Sequence, residues 1–323
     1  MMMPRICGLT LVLLWSAILA GCGGTSSSTS STGGSSACPT SGSSSSKGSG
    51  TIKVGGKGFA EEQLLAQMTK LVLEKHGFTV DASFTAKDPI LGQALESGTI
   101  DAYWQYTGTE LQGPLAVTNP PGDLDQAYQL AKTKDEARGI CWNDEGKFND
   151  TNGLAIKSSD KSKYGGTLSA FSSYLASHPN TVLCVASEFL TRADGLPGLD
   201  KAYGHFNVPG VKASSQSTYE AAIASGQCEA GEVFTTDSAI AAKNLYVLQD
   251  DKKFFPPDNV GLLVRSSVQK SHPEIGAIMQ PVIDKLDNTT ITDLNKQVEI
   301  DRNDAPGAAA IVAKDFLTKD GFL

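Results

Sequence analysis

Nine residues of this chain, Ala94-Leu95-Glu96-Ser97-Gly98-Thr99-Ile100-Asp101-Ala102, recur in pattern as Ala222-Ile223-Ala224-Ser225-Gly226-Gln227-Cys228-Glu229-Ala230. Each copy reads as the end of an apolar helix, a glycine stop and the start of a short strand. The first copy continues to Trp104 and halts at Tyr106-Thr107-Gly108-Thr109; the second halts at Phe234-Thr235-Thr236-Asp237. Two such units imply two similar lobes. In open α/β sheets ligands bind beyond the carboxyl ends of the strands, so these two aromatic, hydroxyl-rich strand ends are expected to face a shared cleft. At 323 residues the chain is long enough for each lobe to bury its own core.

The order of elements supports that division. Thr51–Gly56 reads as a strand, Glu61–His76 as a helix, Val80–Phe84 as a strand, 89–97 as a helix and Ile100–Trp104 as a strand. That is a βαβαβ unit with a parallel sheet. The second lobe repeats it with helix Leu168–Ser177, strand Thr181–Ala186, a short helix from Leu199, strand Val211–Ala213, helix Thr218–Ser225 and strand Glu229–Phe234. Strands near 140–142 and 153–156 lead into that lobe, and strands near 246–248 and 260–264 lead out. The helices from His272 onward return to the first lobe. The expectation is an α/β protein of two open sheets joined by a hinge of two crossings, with residues 51–152 and 259–323 in lobe 1 and 153–258 in lobe 2.

The N-terminal stretch has a different character. Arg5 precedes an apolar run, Leu9 to Leu19, too short for a permanent membrane span and read as a signal peptide over residues 1–22. Its end, Leu19-Ala20-Gly21-Cys22, resembles a bacterial lipobox, which makes Cys22 the lipidated first residue of the mature protein. Residues 23–50 are almost wholly Ser, Thr and Gly and read as a disordered tether. The folded part is expected to hang from the outer face of a membrane.

Composition excludes several classes. The net charge of −8 offers no basic stripe for a phosphate backbone, which argues against nucleic acid. The sequence holds no HExxH, CxxC, GxSxG or Walker motif, and its four histidines are scattered, so neither a metal nor a cofactor is expected. Beyond Cys22 the mature chain has Cys38, Cys141, Cys184 and Cys228, which allow three pairings. Cys184 and Cys228 fall near the ends of strands that the βαβαβ plan makes neighbours. They are a disulfide candidate or two small buried hydrophobes.

Four stretches carry a resemblance: Gly-Gly-Lys-Gly-Phe-Ala-Glu-Glu at 55–62, Asp-Ala-Tyr-Trp-Gln-Tyr-Thr-Gly-Thr at 101–109, Glu-Phe-Leu-Thr-Arg-Ala-Asp-Gly-Leu-Pro-Gly-Leu at 188–199, and Asp-Asp-Lys-Lys-Phe-Phe-Pro-Pro at 250–257. Residues 51–323 resemble the substrate-binding lipoproteins of glycine betaine, carnitine and choline ABC importers. The resemblance implies a two-lobed type II periplasmic-binding-protein fold, a non-enzymatic role, capture of a small solute between the lobes, and delivery to an ABC permease and its ATPase by a monomer. A quaternary ammonium has no N–H to donate, and aromatic faces hold it through their quadrupoles, at about 0.5–2 kcal/mol each.

Carried over residue by residue, the family pattern implies that the Tyr106 ring meets the ammonium and that the Thr109 hydroxyl reaches the ligand. Tyr219 matches a cage tyrosine, with core packing of a lone helix aromatic as the alternative. Phe234 and Thr235 match a strand end lining the cleft, and Asp150 precedes a cage position. Arg192 and Asp194 match an R-x-D-G loop, where an ion pair shaping the loop is the simpler reading. Three positions depart: Glu62 replaces a ligand-contacting Gln, while Asn152 and Asp258 each replace a cage Tyr. The added carboxylates are read as favouring a cation with N–H or O–H donors, or a larger compatible solute, over glycine betaine. An amino acid or an ergothioneine-like betaine is therefore an alternative ligand, and an extracellular hydrolase pairing Glu62 with Asp258 is the alternative class.

Overall fold

In the structure, a computed structural model, the described residues are Cys38, Pro39, Ser43, 47–214 and 216–323. Cys22, the lipobox and most of the expected tether lie outside them.

The chain forms β1 (Thr51–Gly56), α1 (Ala60–Lys75), β2 (Thr79–Thr85), α2 (Asp88–Ser97), β3 (Ala102–Tyr106), α3 (Thr107–Gln112), α4 (Leu124–Glu136) and β4 (Ile140–Asn149). It continues through β5 (Asn152–Lys157), α5 (Lys161–Tyr164), α6 (Leu168–Ser177), β6 (Val182–Val185), α7 (Leu196–Tyr203), β7 (Gly210–Ala213), α8 (Gln216–Ser225), β8 (Ala230–Phe234), α9 (Ser238–Ala242) and β9 (Leu245–Val247). The last part is β10 (Asn259–Arg265), α10 (Ser266–Ser271), α11 (Glu274–Ile283), α12 (Asn288–Lys296), a π-helical turn (Gln297–Asp301) and α13 (Ala308–Lys319).

Two five-stranded sheets result, ordered β2-β1-β3-β10-β4 and β7-β6-β8-β5-β9. β1 is parallel to β2 and β3, and β6 is parallel to β7 and β8. β10 then runs antiparallel beside β3, as β5 does beside β8. The sheets are thus copies of one plan, and each takes its fourth strand after a crossing between them. The repeated sequence explains the likeness: Gly98 and Gly226 both hold left-handed φ values, +78° and +79°, which a residue with a Cβ rarely adopts.

Each sheet buries apolar side chains on both faces. Leu64, Leu65, Met68, Val72 and Leu73 of α1 pack with Ile52, Val54, Trp104 and the C-terminal helices, while Leu91, Leu95, Tyr103 and Trp142 fill the opposite face. In the second sheet Leu183, Phe171 and Phe206 share one core, and Ile223, Cys184, Cys228 and Tyr219 share the other.

Two disulfides join Cys38 to Cys141 and Cys184 to Cys228. The second is the pairing that the strand plan brought forward. The first corrects the reading of residues 23–50 as a tether throughout. Cys38 is buried, the Gly48 amide donates to the His76 carbonyl at 2.8 Å, and Gln269 Nε2 donates to the Pro39 carbonyl at 3.3 Å. Composition missed this because a single cysteine in a polar run supplies a covalent anchor that an average over the run does not register.

Candidate functional site

Between the two sheets lies a cavity of about 320 Å³, walled by the ends of β1, β3 and β8, the first turns of α1, α2 and α9, both hinge crossings, and α12 with its π-helical turn. The strand ends deliver Tyr106 and Phe234, which occupy equivalent places in the two sheets. β5 holds Phe234 opposite Asn152, and β10 holds Tyr106 opposite Val260. The crossings deliver Asp150 and Asp258, tied to each other by the Asp150 amide donating to the Asp258 carbonyl at 3.0 Å.

Close packing sets the wall. A Cβ on Gly108 would stand 2.9 Å from the Pro257 carbonyl oxygen, so only glycine lets α3 lie this near the second crossing. Thr109 then donates its amide and its hydroxyl to the two oxygens of Asp258, each at 3.0 Å. Thr107 donates its hydroxyl to the Pro257 carbonyl at 3.1 Å.

The carboxylates are held in one network. Tyr106 donates its hydroxyl to Glu61 Oε1 at 2.6 Å, and Asn295 Nδ2 donates to Glu61 Oε2 at 2.8 Å and to the Thr236 carbonyl at 3.0 Å. Thr236 gives its hydroxyl to Asp150 Oδ1 at 2.6 Å, and Ser238 gives its own to Glu299. Lys57 Nζ sits 3.0 Å from Asp88 Oδ1, donates to Gln105 Oε1 at 2.8 Å and stands 4.5 Å from the centre of the Tyr106 ring. Phe59 stacks on that ring with centroids 6.5 Å apart.

Burial raises the carboxylates above their ordinary range. Asp258 is pushed up to about 7, with burial the main cause, Asp150 adding to it, and the Thr109 hydrogen bonds and Lys57 opposing it. Glu61 and Asp150 are both raised, by burial first, and the Asp150 charge raises Glu61 further. Asp237 is raised by burial and by Glu220. Burial alone would lower the Lys57 ammonium, but Glu62 and Asp88 overcome it and hold Lys57 above its usual value. Among the described residues of the wall, six carboxylates (Glu61, Asp88, Asp150, Asp237, Asp258, Glu299) face one ammonium. Burial keeps protons on several of these carboxyls in the empty protein, and an entering cation favours their ionised forms.

Of the expected site residues, Tyr106, Thr109, Asp150, Phe234 and Asp258 meet on this wall. Six do not: Glu62, Tyr219, Asn152, Thr235, Arg192 and Asp194. Glu62 is fully buried behind the wall, where Lys57 Nζ lies 3.4 Å away, and Glu61 takes the cavity side of the helix turn. The Glu62–Asp258 pair that a hydrolase would need is therefore not assembled across the cavity. Tyr219 is 1% exposed in the second-sheet core with Cys184 and Cys228, so its ring is packing rather than cage. Asn152 and Thr235 line a separate cavity of about 510 Å³ on the other side of the crossings. Arg192 and Asp194 form an ion pair and stand off the wall.

Sequence reading missed Lys57, Phe59, Glu61, Asp88, Asn295 and Glu299. The first three belong to the resembling stretch at 55–62, where two adjacent glutamates carry no sequence signal of which one faces the cleft. Asn295 and Glu299 had no signal, because they belong to C-terminal helices whose return to the cleft is a matter of packing.

Comparison with known proteins shows the family and the fold. The family described as the substrate binding domain of the ABC-type glycine betaine transport system matches residues 50–319. A glycine-betaine-binding protein of Pseudomonas aeruginosa is 30% identical over 283 residues, covering 84% of this chain and 89% of the relative. An ergothioneine transport permease/ergothioneine binding protein of Helicobacter pylori, EgtU, is 31% identical over 272 residues, 84% of this chain and 48% of the longer relative. The solved apo structure of YehZ from Escherichia coli superposes with a TM-score of 0.69 at 27% identity, covering 84% of this chain and 99% of that one.

Proposed function

We propose, for a chain that belongs to the family of substrate-binding domains of ABC-type glycine betaine transport systems, that the acidic cavity captures a quaternary-ammonium or closely related organic cation. The lobes close on the solute and present it to an ABC permease and its ATPase. The observation that carries this reading is the excess of six wall carboxylates over one ammonium, beside the ring faces of Phe59, Tyr106 and Phe234. Lys57 over the Tyr106 ring is a cation–π contact in place within the protein, and it marks that face as one that accepts positive charge.

Tyr106, Thr109, Asp150, Phe234 and Asp258 are the ligand-facing residues in this reading, together with Glu61 and Phe59. The Leu-Ala-Gly-Cys sequence supports a lipid anchor at Cys22 on the extracytoplasmic face of the membrane, with the protein acting as a monomer. The Ser, Thr and Gly residues from 23 to the Cys38–Cys141 disulfide are then the length of the tether.

Thermal unfolding with glycine betaine, choline, carnitine, ergothioneine, arginine and lysine tests the reading. A binder at one hundred times its Kd stabilises by about 2.7 kcal/mol, a shift of about 4 °C for a protein of this size. The recovered solute is chemically unchanged. No shift with any cation, or conversion of the solute, overturns the proposal.

A further inference from the structure

We propose that the captured cation carries an extended, uncharged tail, held in a groove of lobe 1 that opens off the cavity between α2 and α3. The charged head stays among the wall carboxylates and the tail runs outward past Gly92. This rests on the cavity being the capture site proposed above, and it names the class of solute.

The groove measures about 460 Å³, more than the cavity itself at about 320 Å³. The two share Asp88 and Thr109, so the groove starts where the cavity wall ends. Along α2 its wall is Asp88, Gly92 and Glu96, spaced by four and therefore on one face of the helix. Facing them are Thr109 and Gly113, a turn apart on α3 and its C-cap, then Pro114 and Arg138. Gly92 is buried, yet a Cβ built on it meets nothing within 4 Å. Glycine is disfavoured inside a helix relative to alanine. Here its missing side chain is what leaves the groove clear.

The far end of the groove decides the chemistry of the tail. Arg138 donates to Glu96, Glu110 and Asp135, so three carboxylates surround the guanidinium and it has no uncompensated charge for an anionic tail. Gln93 and Glu96 are exposed on the same wall and offer hydrogen-bonding groups to a hydroxyl. Methylenes laid along Gly92, Gly113 and Pro114 gain by leaving water. Gly92 lies about 6 Å along the helix axis from Asp88, beyond the reach of a solute as short as choline whose head stays in the cavity.

Calorimetric titration of choline, hydroxyhexyl-trimethylammonium and trimethylammoniohexanoate tests this on the wild type and on Gly92→Leu. The substitution fills the groove with a side chain whose Cβ has room and which favours a helix over glycine. The hydroxyhexyl cation is expected to bind about tenfold more tightly than choline, and the hexanoate, with a carboxylate end, to show no such gain. In Gly92→Leu the gain falls to within about twofold of parity while choline keeps its affinity; Gly92→Ala is the smaller variant should leucine not fold. Choline stays wholly in the cavity and reports capture alone. Choline binding with no gain from length, a gain that survives in Gly92→Leu, or an equal gain for the hexanoate overturns the inference and leaves the cavity a cation site. Absence of binding by choline and by both long solutes, in protein whose melt shows it folded, is the separate result that overturns the capture reading on which the groove depends.

Discussion

Tyr106 and Glu61, at the end of a strand and in the first turn of a helix, are joined by a 2.6 Å hydrogen bond from phenol to carboxylate. The tyrosine thus has two duties: its ring walls the cavity and its hydroxyl satisfies a carboxylate that burial would otherwise leave short of partners. Tyr106→Phe keeps the ring and removes the donor. Leaving that acceptor short costs about 1–3 kcal/mol, read in urea unfolding, while affinity for the cation falls less than in Tyr106→Leu. The leucine variant loses the ring face and is expected to bind about tenfold more weakly or worse. Equal affinities for the two variants would remove the ring from the site.

Binding is expected to strengthen as pH rises. Asp258 has its ordinary range near 3.8 and stands at about 7 in the folded protein, so it holds a proton over the span where an unfolded chain has lost it. A cation favours the ionised form, so capture below pH 7 displaces a proton and is weaker at pH 6 than at pH 8. Titrations in buffers of different ionisation enthalpy read that proton directly. Binding that is independent of pH over this range would take Asp258 out of the site.

For the empty protein the sign is reversed. A carboxylic acid whose folded pKa is raised contributes stability that is full below its unfolded value and is lost as pH rises through the folded one. Asp258 and Glu62, both near 7 through burial, set that window at about pH 4 to 7. Melts of the unliganded protein are expected to be lower at pH 8 than at pH 5.5, and a bound cation narrows the gap.

Tyr219 belongs to the core, and Tyr219→Ala is expected to cost stability of the order measured for large aromatic truncations, about 3–5 kcal/mol. The folded fraction keeps wild-type affinity for the cation. A variant that folds well and binds poorly would return this ring to the ligand.

The Cys38–Cys141 bond closes a separation of 103 residues. Cys38→Ser is expected to lower stability by about 2–5 kcal/mol and leave affinity unchanged. Peptide mapping without reduction identifies the linked peptides.

How far the sequence led depended on the range of the interaction. The two sheets were legible because the repeat at 94–102 and 222–230 encodes local events: a helix end, a left-handed glycine and a strand. Tyr106 and Phe234 were legible because each ends such a strand. Tyr219 was misplaced because one aromatic on a helix gives no indication of which side of the sheet it will meet. Glu61 and Glu62 are adjacent, and only the rotation of α1 on its sheet decides which one reaches the cleft. Asn295 depends on how α12 settles against α9, a contact between residues far apart in the chain.

The exchange of fourth strands also sets an order of assembly. The second sheet uses only strands between Asn152 and Val247, whereas the first waits for β10. As the chain emerges N-terminus first on the outer face of the membrane, its middle therefore has all its strands before its beginning does. The mouth that receives the solute is completed last, once the segment carrying Asn295 and Glu299 has emerged, and a chain truncated ahead of α12 would lack both that wall and the part of the first-sheet core that α12 and α13 supply.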